Sequence, residues 1–85
     1  MKLLKFGAPW CKPCQALDKT LESANLWIEI EKVDIDQRPE CAAEYRVRSV
    51  PTLVLLDDDG AEIDRRQGAL SLGALLEFIE FDDLT

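Results

Sequence analysis

Cys11-Lys12-Pro13-Cys14 lies between an apolar segment, residues 1–6, and a stretch with helical periodicity. The apolar segment predicts a first strand. Pro13 suits the first turn of a helix, because its missing N–H group is not needed there. We therefore predict a strand, a turn and a helix in succession, with both cysteines at the start of the helix.

The rest of the chain carries a series of further elements. Cys14, Leu17 and Leu21 recur at helical spacing, and residues 53–56 form the continuous apolar run that is typical of a strand buried on both faces. After the first strand, the predicted elements are a helix that ends near Asn25, a strand at residues 27–34, a helix from Pro39 through Tyr45, a strand at residues 53–56, a hairpin turn at residues 57–60, a return strand at residues 61–66 and a last helix capped by Ser71.

This order, β-α-β-α-β-β-α, predicts an α/β fold in a single domain over residues 1–85. Strands joined through a helix are expected to be parallel with a right-handed crossover, and the hairpin makes the last two strands antiparallel. The simplest arrangement is a four-stranded mixed sheet with helices on both faces. A chain this short buries a modest fraction of its surface, so we expect a thin margin of stability.

Charge and hydropathy exclude several classes of function. The chain has 17 acidic and 10 basic residues, a net charge of -7, whereas a nucleic-acid ligand needs clustered Lys and Arg. The apolar runs are too short to cross a membrane. Residues 1–6 do not form a signal peptide, because Lys5 interrupts their apolar stretch. We therefore expect a cytoplasmic protein that binds neither nucleic acid nor membrane. Three cysteines in that reducing compartment are not a disulfide scaffold.

The position of Cys11 and Cys14 favours thiol chemistry. The thiolate is the reactive form of cysteine, and a helix N-terminus stabilises it with free N–H groups and a partial positive charge. Lys12 adds a further positive charge. In the predicted reaction Cys11 attacks a substrate disulfide, and Cys14 then attacks Cys11 and releases the reduced substrate. This chemistry requires no metal and no organic cofactor.

Two other interpretations of the cysteine pair stay open. It could be half of a structural zinc site, but such a site normally has four ligands, the chain has no histidine, and Cys41 is the only other thiol. The two cysteines could also be inert and buried, which the neighbouring Trp10 and the strand-to-helix setting disfavour. Cys41 itself is expected to be a small packing residue, with a regulatory or dimer-forming thiol as the alternative.

Residues 10–14, W-C-K-P-C, resemble the W-C-x-P-C active-site motif of the thioredoxin family. The resemblance continues in order through residues 33–36 with Pro39, residues 45–53 and residues 68–71, so it spans nearly the whole chain. It implies a short, glutaredoxin-sized thioredoxin, a thiol-disulfide oxidoreductase that reduces the disulfides of client proteins. A thioredoxin reductase using NADPH would recharge it, ribonucleotide reductase is a candidate client, and a monomer is the expected state.

The same resemblance assigns roles to residues outside the motif. It implies that the Val50–Pro51 peptide is cis, that Pro51 lies against the dithiol, and that the backbone before it pairs with the substrate as an added strand. Without the resemblance, Pro51 is simply a proline that begins a strand. The implied substrate-binding residues are Trp10, Val50, Pro51, Gly68 and Ala69. The implied supporting residues of the active site are Trp10, Lys12, Pro13, Pro51, Lys5 and Lys32.

The chain departs from the family pattern in two respects. It lacks the extra strand and helix with which longer members begin, and it starts at the first core strand, as glutaredoxins do. Lys5 stands where longer thioredoxins carry a buried acid that helps to move protons. Its charge would favour the Cys11 thiolate, or its side chain could extend to solvent. Lys32 aligns with a family lysine near that acid, so the two lysines could repel each other and one could turn outward.

Three competing functions stay open on the sequence alone. A glutaredoxin-like electron donor is favoured by the short chain and disfavoured by Trp10 and Lys12. A non-catalytic binding module or structural subunit with this fold would not need its cysteines. A disulfide oxidase or isomerase is disfavoured because the sequence shows no export signal.

Overall fold

A computed structural model describes the backbone of residues 1–83 and the side chains of residues 1–80. The predicted order of elements is confirmed. The elements are β1 (Lys2–Gly7), α1 (Lys12–Ala24), β2 (Glu29–Asp34), α2 (Pro39–Glu44), β3 (Thr52–Leu56), β4 (Glu62–Gln67) and α3 (Leu72–Asp83).

The element boundaries shift by only a few residues from the prediction. Asn25 takes left-handed backbone angles, with φ of 47°, and ends α1 as expected. The second strand begins at Glu29 rather than at residue 27, because β1 begins at Lys2 and Lys2 pairs with Glu29. Trp27 therefore lies outside the sheet and is 66% exposed. Gly60 takes a φ of 84° in the predicted hairpin turn between β3 and β4, which suits glycine.

The four strands form one mixed sheet in the order β2-β1-β3-β4. Strand β1 is parallel to β2 and antiparallel to β3, and β3 is antiparallel to β4. The two central strands are almost wholly buried, whereas the two edge strands are partly or largely exposed. This difference explains why the central strands are apolar and the edges carry charge.

Helices cover both faces of the sheet, as predicted. Successive residues of a strand point to opposite faces, so Leu3 and Leu4 enter two separate cores. The core beneath α1 and α3 contains Leu3, Leu17, Leu21, Ile28, Leu53, Leu55, Leu75, Phe78 and Ile79. The core beneath α2 contains Leu4, Phe6, Val33, Cys41, Val54 and Leu56.

The carboxyl end of β1 positions the cysteine pair. Because β1 and β2 are parallel, the segments that follow Gly7 and Asp34 leave the sheet at the same edge. The backbone N–H of Ile35 donates to the carbonyl of Gly7 at 3.0 Å and joins the two segments. The turn from β1 into α1 thus rests on the central part of the sheet, where loops of α/β proteins commonly carry functional residues.

Candidate active site

Cys11 and Cys14 occupy the start of α1. The N–H of Cys11 donates to the carbonyl of Ala8 at 3.1 Å and closes the turn after β1. Cys11 is the N-cap residue, and its Sγ accepts a hydrogen bond from the N–H of Cys14 at 3.2 Å. Pro13 lies in the first turn of the helix, as expected. At most helix starts a side-chain oxygen of the N-cap residue accepts a hydrogen bond from a backbone N–H group of the first turn, and here a sulfur takes that place. The free N–H groups of the first turn also favour a thiolate at this position.

The two cysteines are joined as a disulfide, with their Cα atoms 5.2 Å apart. Both residues are buried, with Cys11 4% exposed and Cys14 1% exposed. Ala8 completes a small buried cluster with them, and Val50 packs against it. The arrangement can exchange two electrons, because a disulfide and a dithiol interconvert at the same two positions.

The loop before β3 lies against the cysteine cluster. The Val50–Pro51 peptide is cis, as the family resemblance implied, and Pro51 is fully buried. The N–H of Gly68 donates to the carbonyl of Pro51 at 2.9 Å, and Gly68 takes a φ of 88°, which suits glycine. Val50, Pro51 and Gly68 are thus brought together beside the disulfide, and the exposed Ala69 follows Gly68 in the chain.

Trp10 forms the exposed rim of the site, with 66% of its surface open to solvent. Its indole Nε1 donates to Asp36 Oδ2 at 2.9 Å, and the N–H of Asp36 donates to Asp34 Oδ1 at the same distance. Asp36 was not among the residues predicted from sequence. The signal for it was the topology, because the segment after β2 leaves the sheet beside the turn that follows the parallel strand β1.

Lys5 lies beneath the site and does not extend to solvent. It is 6% exposed, and its Nζ is 2.8 Å from Asp18 Oδ1. The contact is an ion pair without the angular geometry of a hydrogen bond, so Oδ1 accepts no hydrogen bond within the described part of the chain. Lys32 is the lysine that turns outward: its side chain is 57% exposed, and its Nζ is 3.6 Å from the same oxygen.

The end of the Lys5 side chain lies beside Cys14. The prediction from sequence was that its charge would favour the thiolate of Cys11. A Cβ added to Gly7 would be 3.0 Å from Lys5 Nζ and 3.3 Å from Cys14 Sγ. Asp18, which was also not predicted from sequence, follows Cys14 by one turn of α1, and residues four apart share one face of a helix. That spacing was the signal in the sequence.

Among residues 1–80, whose side chains the structure describes, no group of three or more His, Cys, Asp or Glu side chains is arranged to hold a metal ion. Within the same range, no helix is long and apolar enough to cross a membrane. Cys41, the third cysteine, is a free, buried thiol in the core beneath α2, far along the sequence from the disulfide.

Comparison with known proteins gives one consistent family. The thioredoxin family model matches residues 1–81. The chain is 42% identical over 80 residues to a thioredoxin of Chlamydia trachomatis, covering 91% of this chain and 78% of that protein. It is 43% identical over 68 residues to the SPbeta prophage-derived thioredoxin-like protein YosR of Bacillus subtilis, covering 80% of this chain and 82% of that protein.

A solved structure extends the match to three dimensions. A mutant thioredoxin from Halobacterium salinarum superposes with a TM-score of 0.86 at 36% identity, covering 94% of this chain and 72% of that one. A cysteine pair at a helix start on a mixed sheet, with these relatives, defines a protein-disulfide oxidoreductase. The chain belongs to the thioredoxin family.

Proposed function

We propose that this protein reduces disulfides in other proteins, with Cys11 as the attacking thiol and Cys14 as the resolving thiol. The observation that supports this assignment is the position of Cys11 Sγ at the N-cap of α1, where it accepts a hydrogen bond from the N–H of Cys14. Cys14 is the more deeply buried of the two. The helix N-terminus stabilises the thiolate form of cysteine, which is the nucleophile. The resolving thiol needs only to reach the sulfur of the attacking cysteine.

The proposed reaction has two exchange steps. The Cys11 thiolate attacks one sulfur of the substrate disulfide, a mixed disulfide forms, and the other substrate sulfur leaves as a thiolate. The Cys14 thiolate then attacks Cys11 Sγ, which breaks the mixed disulfide and releases the second substrate thiolate. The substrate gains two electrons and the protein ends as the Cys11–Cys14 disulfide, the state that the structure describes.

Trp10, Val50, Pro51, Gly68 and Ala69 are the proposed docking surface for the substrate chain. Their proximity to the disulfide supports this role: Val50 packs against the cysteine cluster, and Gly68 is hydrogen-bonded to Pro51. An extended substrate segment would bind along the backbone before Pro51 as an added strand, with its disulfide over Cys11. Lys12, exposed at the first residue of α1, would add positive charge beside the attacking thiolate.

We further propose a cytoplasmic monomer that a thioredoxin reductase recharges with NADPH, with ribonucleotide reductase among its clients. The thioredoxins among its relatives support this assignment. Insulin reduction would be measured with NADPH and thioredoxin reductase, and separately with glutathione, as the source of electrons. We expect turnover with the first donor and little with the second. The reverse result would make the protein a glutaredoxin-like donor.

Trapping tests the assignment of the two thiols. In Cys14→Ser the attack by Cys11 stops at the mixed disulfide, so mass spectrometry should identify client proteins bound through Cys11. Cys11→Ser is the matched control and should trap no clients through that route. Cys41→Ser in the Cys14→Ser background should trap the same clients. Clients captured on Cys41, or equal capture by the Cys11→Ser variant, would overturn the assignment.

A further inference from the structure

A charged pocket lies behind the resolving cysteine. A cavity of about 250 Å³ adjoins Cys14 and is lined in part by Lys5, Gly7, Asp18 and Lys32. The cavity is open to solvent, which gives a proton a route out, and the Lys5 side chain that lines it is buried. A buried ammonium next to a redox-active sulfur is costly unless it is paired, and Asp18 supplies the pairing charge.

We propose that Lys5 controls the ionisation of Cys14, and that Asp18 holds Lys5 in place for this purpose. This inference rests on the proposed function of Cys14 as the resolving thiol. Lys5 Nζ and Cys14 Sγ both lie within 3.3 Å of the single point that a Cβ on Gly7 would occupy. The two groups therefore lie within roughly 6 Å of each other with no side chain of Gly7 between them, and an opposite charge within about 4–6 Å favours a thiolate.

Four charged groups face Cys14 or its cavity, and their positions decide which one has the largest effect on the ionisation of Cys14. Lys5 comes from β1, Asp18 from the same helix as Cys14, and Lys32 and Asp34 from β2. Lys32 is largely exposed, so water screens its charge. Asp34 accepts the N–H of Asp36 and so takes part in the loop after β2. Asp18 Oδ1 is 2.8 Å from Lys5 Nζ and holds it in the pocket, and Lys5, at 6% exposed, is the most buried of the four charged residues.

The resolving step then proceeds without any added reagent. Cys14 releases its proton to solvent through the open cavity, and the Lys5 ammonium stabilises the thiolate that remains. The thiolate electron pair forms the bond to Cys11 Sγ. The bond from Cys11 to the substrate sulfur breaks, and that sulfur leaves as a thiolate. The proposed role of Lys5 is electrostatic, and it is not that of a general base.

The test titrates Cys14 directly, in the 85-residue chain with Cys11→Ser and Cys41→Ser, so that one thiol remains. Thiolate absorbance against pH gives the titration midpoint. Lys5→Met should raise this midpoint by about one pH unit or more, and Lys5→Arg should largely preserve it, because the charge is kept. Asp18→Asn should lower it, because Lys5 then acts without an opposing charge. Lys32→Met, which removes an exposed charge, is the matched control and should change it least.

Failure of this inference is separable from failure of the proposed function. Equal midpoints in the parent, Lys5→Met and Lys5→Arg would overturn the role of Lys5, even if trapping through Cys11 still succeeded. A midpoint that fell in Lys5→Met would overturn it as well. Circular dichroism of each variant guards against loss of fold, and Asp18→Asn gives a second arm of opposite sign if Lys5→Met is unstable. Trapping of clients in Cys14→Ser reports on the proposed function alone.

Discussion

Cys14 and Cys41 are both buried helical cysteines, one on each face of the sheet, and their surroundings differ. Cys41 packs among apolar residues of the core beneath α2, and burial raises the pKa of its thiol, an effect that Arg38 partly opposes. Cys14 lies at a helix start beside a second sulfur and a buried ammonium. Burial alone therefore makes an inert thiol, and the helix terminus with its charges makes a reactive pair.

The two faces differ in the same way. Among the described residues, the core beneath α2 buries no charged side chain, and the hydroxyl of its buried Thr52 donates to the carbonyl of Ser49 at 2.7 Å. The face beneath α1 begins with Leu3 as equally apolar core, continues two residues later with Lys5, and ends with Gly7 against Cys14. Along this face of β1, the first residue therefore packs in the core, and the residues toward the carboxyl end of the strand border the active site. One face stabilises the fold, and the other contributes both to stability and to the site.

The largest expected effect on activity comes from removing either active-site sulfur. Cys11→Ser and Cys14→Ser should each lower insulin reduction by roughly a hundredfold or more, because the nucleophile or its resolving partner is lost. Cys41→Ser should stay within about twofold of the parent, because a buried packing thiol takes no part in the exchange. The measurement is steady-state turnover with thioredoxin reductase. A large loss in Cys41→Ser at unchanged stability would contradict the division between the two thiols.

A core substitution on the α2 face should cost stability and spare the chemistry. Phe6 is fully buried, with its ring centroid 5.7 Å from that of Tyr45. Phe6→Ala should lower the free energy of unfolding by about 3–5 kcal/mol in urea titration. Trp27→Ala, at a site 66% exposed, is the matched aromatic control and should change it by less than about 0.5 kcal/mol. Similar losses in both variants would show that the described core is wrong.

The elements that build the two faces of the sheet could be predicted from the sequence. The helical stripe of Cys14, Leu17 and Leu21, the apolar run at residues 53–56 and the apolar segment at residues 1–6 are local patterns, and each produced the element that the structure shows. The pairing of Lys5 with Asp18, and of Trp10 with Asp36, depends on which strands become neighbours. A linear pattern of charges does not specify these contacts, so they emerged only with the fold.

A methyl group at Gly7 should separate Lys5 from Cys14. The added Cβ would meet Lys5 Nζ at 3.0 Å, and that flexible side-chain end can move away. Gly7→Ala should therefore raise the titration midpoint of Cys14 by a fraction of a pH unit, in the same single-thiol background. Gly73→Ala is the matched control, since a Cβ there meets nothing within 4 Å. That variant should leave the midpoint unchanged.

The smallest expected effect concerns the charges that border Cys41. Hydrogen bonding from Lys2, then from Arg38, lowers the pKa of Glu31. A carboxylate of this kind stabilises the fold fully above its ordinary pKa, and the stabilisation is lost as the pH falls through the lowered value. Glu31→Gln should therefore cost about 0.2–1 kcal/mol at neutral pH and almost nothing in strong acid. Thermal unfolding at both pH values tests this, and a loss that is equal at both would contradict it.

Alkylation of the reduced protein tests the central claim most directly, because one experiment compares all three thiols. Iodoacetamide is applied across a range of pH, and the modified cysteines are resolved by mass spectrometry. We expect Cys11 to react fastest, at a pH well below that needed by an ordinary thiol, and Cys41 to react slowest. Equal, sluggish modification of Cys11 and Cys41 at neutral pH would contradict the claim that the helix terminus activates Cys11.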